Sequence, residues 1–173
     1  SPYINAYAFS GGFGSRYSDP TTLPTGDCNG LAINSAGNAV AVAHYTTPFI
    51  SVYPFSTGFG TKFANPATLP LSDGYSCGFN SSDTALFIGF SPSPSIYGYN
   101  WDNISGFGSK VSNPTTLPTG DVYGITSKST DIAIALYTSP YISVYPYSSG
   151  FGTKYANPTT LPSGNGNGVA FQP

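Results

Sequence analysis

The side chains that could do chemistry in this 173-residue chain recur at fixed intervals. In Tyr97-Gly98-Tyr99-Asn100-Trp101-Asp102, the residues Tyr99, Trp101 and Asp102 combine two flat rings with a carboxylate, a set suited to stacking a sugar ring. The pairs Tyr7/Phe9, Tyr53/Phe55 and Tyr145/Tyr147 occupy the same place elsewhere, so packing between repeated units competes with ligand binding for all of these rings. Asp27, Asp73 and Asp121, with Asn165 in the fourth unit, form a second series. Three carboxylates at one register could hold a cation such as Ca²⁺, which takes about six to eight oxygens; alternatively each caps its own turn through backbone N–H groups. Arg16, Lys62, Lys110 and Lys154 make a third series, either a ring of cations for anionic glycans or the lysines that keep an outer edge strand soluble.

Other reactive residues are sparse. His44 is the sole histidine, and nothing in the spacing places a nucleophile and an orienting acid beside it, so it reads as a packed core residue. One His and two Cys cannot form a closed tetrahedral metal set, and no metal or cofactor is expected. Seven Asp and no Glu offer no distinct pair for glycoside hydrolysis. Cys28 and Cys77 sit at non-equivalent places in adjacent units; they read as free buried thiols, with a disulfide open only if their Cα atoms lie within about 7 Å. Asn80-Ser81-Ser82 and Asn103-Ile104-Ser105 fit the N-glycosylation pattern, which matters only in a eukaryotic secretory pathway.

The elements that position these groups follow from a repeat. Gly-Phe-Gly-(Ser/Thr)-(Lys/Arg) begins at Gly12, Gly58, Gly106 and Gly150, and Pro2, Pro48, Pro94 and Pro140 recur every 46 residues. A block (Asp/Asn)-Pro-(Thr/Ala)-Thr-Leu-Pro starts at Asp19, Asn65, Asn113 and Asn157 and supplies turn chemistry. Four short strands per unit are expected. The first runs Gly30-Leu31-Ala32-Ile33, with counterparts at 76–79, 124–126 and 168–171. In the second, Val40, Val42 and His44 alternate with Ala39, Ala41 and Ala43, and the pattern returns in Leu86/Ile88/Phe90 and Ile132/Ile134/Leu136. The third spans 3–7, 49–53 and 141–145, and a fourth follows each Gly-Phe-Gly turn. With 21 Gly and 16 Pro, no stretch can hold an amphipathic helix.

These units resemble WD40-like and YVTN-like β-propeller repeats, on the hairpin from Gly30 to Tyr45 and on Ser139-Pro140-Tyr141-Ile142-Ser143-Val144-Tyr145. The version Gly150 to Pro162 is similar to repeats in structural proteins of tailed bacteriophages. The dipeptide of the WD40 signature survives only as Trp101-Asp102. The resemblance implies an all-β propeller of four roughly 46-residue, four-stranded repeats, with units near 1–46, 47–92, 93–138 and 139–173 in a single domain. In that fold the Asp27, Asp73 and Asp121 strand ends converge near the axis. In repeat phase Ser1 matches Thr47 and Pro173 matches Ser35, so residues equivalent to 36–46 are absent and the last blade is expected to lack one inner strand. A window from a longer propeller, completion by copies or a partner, and imperfect closure are the three explanations. The absence of Met points to a processed product or an excised segment.

Charged residues are only 7% and the net charge is −2, so the chain offers no cationic footprint for nucleic acid and no polybasic patch or apolar span for membrane insertion. Abundant Ser, Thr, Asn and Tyr suit recognition by hydrogen bonds and stacking. The expected function is a non-enzymatic structural or interaction module of a virion, fibre or other extracellular assembly, binding a partner protein or further copies of itself. A lectin-like propeller binding glycans at repeated sites is the alternative.

Overall fold

The computed structural model describes residues 3–172, and within them every regular element is a β-strand. Twelve strands follow one another: β1 (Tyr7–Phe9), β2 (Phe13–Arg16), β3 (Cys28–Ile33), β4 (Ala39–His44), β5 (Ile50–Pro54), β6 (Gly74–Phe79), β7 (Ala85–Phe90), β8 (Ile96–Asp102), β9 (Gly106–Lys110), β10 (Val122–Lys128), β11 (Asp131–Leu136) and β12 (Ile142–Pro146). They form four antiparallel sheets in simple up-and-down order: β1-β2, β3-β4-β5, β6-β7-β8-β9 and β10-β11-β12. Each sheet is a blade, and β6 packs against β3 and β4 on one side and against β10 on the other.

Strand alternation explains the stacking. Ala39, Ala41 and Ala43 of β4 point at the next blade, where they meet Cys77, Phe79, Leu86 and Ile88, while Val40 and Val42 share the opposite face with Tyr53 of β5 and meet Ile4. Small side chains on one face let the neighbouring sheet approach, and large ones on the other fill the space. At the third boundary Ala85 and Gly89 keep the small-residue register, but Phe87 stands where Ala41 did, and Phe87 and Ile96 pack against Val122, Ile132, Ile134 and Tyr145. Where the approach is tightest even alanine is excluded: a Cβ on Gly89 would lie 2.4 Å from the Val122 carbonyl and from Ser76 Oγ. The turn between second and third strands recurs too, with positive φ at Tyr3, Phe49, Ser95 and Tyr141.

Three expectations about strands need correction. The fourth strand exists as β2 and β9, but in the other two units it shrinks to single bridges, Phe55 to Phe59 and Tyr147 to Phe151. Residues 3–6 are not strand, and β1 starts at Tyr7. Residues 168–171 form no strand, because no second strand lies beside them to complete the ladder. The first sheet likewise has only two strands. Leu31 and Ile33, which face that side, are therefore 55% and 57% exposed, whereas Cys77 and Phe79 at the same register of the next blade are buried.

Candidate interaction surface

Four tyrosines form a row across three blades. Each stands where a first strand begins or a second strand ends: Tyr75 on β6, Tyr123 on β10, Tyr45 just after β4 and Tyr137 just after β11. Backbone pairing sets this placement, since the Tyr45 N–H donates to the Asp27 carbonyl and the Tyr137 N–H to the Asp121 carbonyl, both at 3.0 Å. Tyr75 and Tyr123 stack face to face at 4.8 Å with planes 3° apart. Tyr45 meets Tyr75 edge-on at 6.4 Å, and Tyr137 lies tilted against Tyr123 at 5.8 Å. Tyr45 and Tyr137 are 44% and 49% exposed. Among the described residues none of the four hydroxyls has a hydrogen-bond partner within the chain.

Asp27, Asp73 and Asp121 lie at this same end of the first strands. Their carboxylates make no side-chain hydrogen bond among the described residues, so the expected turn capping does not occur. Partial burial, the Tyr123 phenol, and the Asp121 and Asp73 carboxylates together push the Tyr75 phenol above its usual range. Burial, Asp121 and the phenols of Tyr137 and Tyr45 do the same to Tyr123. Asp73 and Asp121 thus act on the stacked pair of rings. No group of three or more His, Cys, Asp or Glu among the described residues is arranged to hold a metal ion.

The other two series sit elsewhere. Lys110 and Lys154 donate to Asn113 and Asn157 Oδ1 at 2.7 and 2.5 Å, Lys62 donates to Asn65, and Arg16 pairs with Asp19. The repeated cation thus ties each Gly-Phe-Gly turn to the block that follows it, and Lys110 also caps the ring of Tyr97 at 4.1 Å. That block is held in turn by the next blade: Tyr53, Tyr99 and Tyr145 donate their hydroxyls to the carbonyls of Thr22, Thr68 and Thr116 at 2.8–2.9 Å. Tyr99 and Trp101 are 0% and 5% exposed, and their ring faces are taken by Phe107, with Phe63 and Phe79 also on Trp101. The Trp101 indole N–H donates to Asn103 Oδ1 at 2.7 Å. Asp102 is exposed and accepts from the N–H groups of Ile104 and Ser105, which hold its carboxyl below the usual range.

His44 is fully buried, with Nε2 3.1 Å from Ser51 Oγ and no hydrogen-bond partner for Nδ1 among the described residues; burial holds its pKa down. Both cysteines are free thiols. Burial raises Cys28 and pushes Cys77 up to about 12, so neither is poised as a nucleophile. Asn80 Nδ2 donates to Ser82 and Thr84 inside its own turn, which occupies the nitrogen a glycan would need.

Two hollows of about 450 and 440 Å³ recur on the outer strands. One is walled by Phe55 to Gly60 and the other by Tyr147 to Gly152. No single repeat position encodes the tyrosine row, because its members come from two different strand positions. The visible signal was the Asp-x-Tyr spacing at 73–75 and 121–123, which the first unit breaks with Asn29.

No family model and no curated protein matches the chain. Solved structures do. The computationally designed Ika4 protein superposes with a TM-score of 0.61 at 12% identity, over 87% of this chain and 82% of that one. A chain of the nidogen/laminin complex gives 0.62 at 13% identity, over 91% of this chain and 56% of its own. The WD40 repeats of RRP9 give 0.52 at 13% identity, over 72% of this chain and 35% of theirs. The chain thus spans little more than half, or less, of the latter two. At such identities the likeness is one of fold, and the fold is that of β-propeller blades.

Proposed function

We propose that this chain is a non-enzymatic interaction module of an extracellular or virion assembly, whose tyrosine row docks a partner protein. The observation that carries the reading is the row itself: four phenols with free hydroxyls span Tyr45 to Tyr137 on a rigid frame. Tyrosine supplies large contact area at small entropic cost, which is why it is frequent at binding surfaces. The low charge, the hydroxyl-rich surface and the similarity to phage structural repeats support the location, and a whole-chain domain of units near 1–46, 47–92, 93–138 and 139–173 is its setting. Chains in protein complexes are among its structural neighbours. The test is a random displayed-peptide library panned on the protein and on Tyr75→Ala/Tyr123→Ala. Sequences enriched on the first and lost on the second are expected; identical enrichment on both removes the row as the contact surface.

The hollows beside Phe55 and Tyr147 favour a second reading, a lectin-like propeller, because equivalent sites with hydroxyls and ring edges would bind weakly but several at once. Dose-dependent binding on a glycan array, lost when Thr57 and Ser149 are replaced by bulky residues, would move the assignment there.

A further inference from the structure

From the charge around the tyrosine row, which the preceding reading takes as the contact surface, we infer that the partner presents arginine side chains, laid against the rings of the row and paired with Asp73 and Asp121. Three observations converge on this chemistry. The first is complementarity. Of the seven carboxylates, Asp19, Asp83, Asp102 and Asp131 are engaged by Arg16, by the N–H groups of Ser35 and Ala36, by those of Ile104 and Ser105, and by Tyr155. Asp27, Asp73 and Asp121 are left unpaired within the described residues, all on the side of the row.

The second concerns cations. Arg16, Lys62, Lys110 and Lys154 are each tied to the Asp or Asn three residues on, and Lys128 donates to the Gln172 carbonyl. All five cations are thus engaged away from the strand ends that carry the row. The third is shape. Ring surface beside carboxylates matches a planar guanidinium, which lies flat on a ring and donates a bidentate pair at once, whereas an ammonium sits over a ring as a point charge, as Lys110 does on Tyr97, and has no planar fork.

The test is fluorescence anisotropy of labelled hexa-arginine, hexalysine, hexaglutamate and an uncharged Gly-Ser peptide with the intact chain at moderate salt. Hexa-arginine is expected to bind most tightly, and Asp121→Asn to weaken it by about tenfold, the loss of one charge-assisted bond. Asp131→Asn, which changes net charge equally on β11, is the control and should change affinity less than about twofold. Equal weakening by both variants, or equal binding of hexalysine, hexaglutamate or the uncharged peptide, overturns the arginine assignment. The surface itself is judged separately: peptide selection lost in Tyr75→Ala/Tyr123→Ala but indifferent to Asp121→Asn leaves the contact surface standing and removes only its preference for cations.

Discussion

His44 replaces Phe90 and Leu136 at one register of the second strands, and its neighbours tolerate it because Ser51 meets one ring nitrogen. Burial of the ring outweighs the Thr46 backbone beside it, so the native state disfavours the charged form. The sign follows from linkage. A histidine whose folded pKa lies below its unfolded value contributes full stability above about 6.5, and the contribution drains away as the solution is acidified below that value. His44→Leu reproduces the Leu136/Ser143 pair of the third blade boundary. Urea melts from about pH 8 to about pH 5 should show the wild type losing more stability than the variant over the acid half of that range. Parallel curves would mean that the folded and unfolded states hold the His44 proton equally, so that burial does not lower its pKa.

At the scale of elements, the repeated block and the repeated tyrosine prove to be one device. The outer turn of one blade lies under the third strand of the next, and the Tyr–OH to Thr carbonyl bond holds it there. Tyr99→Phe and Tyr145→Phe should each cost about 1 kcal/mol by thermal or urea unfolding, and close to their sum together, because they act at separate boundaries. Tyr145 carries a further signature. Burial lifts its phenol to about 12, so the stability it contributes is complete below pH 10 and is lost as pH rises from 10 to about 12. Tyr145→Phe should flatten the alkaline limb of the stability profile. A double variant no weaker than either single one would show that one latch holds both boundaries.

Taken whole, the molecule is a stack in which each blade leans mainly on its neighbours, so stability is expected to vary along it. β7 is buried along its whole length between two blades, while β2 and residues 158–165 are exposed. Hydrogen exchange should find the slowest amides in β6 to β8 and the fastest in β1, β2 and residues 158–172; uniform protection would show instead that the blades open as one unit. Much of this architecture was legible beforehand. Intervals between Gly-Phe-Gly turns and the Val/Ala alternation of 39–44 reveal local pleat and period, because both are imposed by neighbours along the chain. Whether a fourth strand forms, whether Trp101 faces solvent or Phe107, and which carboxylates remain unpaired depend on what lies opposite in the next blade. The row from Tyr45 to Tyr137 belongs to that second kind: residues far apart in sequence become one surface only when the first strands are brought side by side, and no interval in a single unit encodes that meeting.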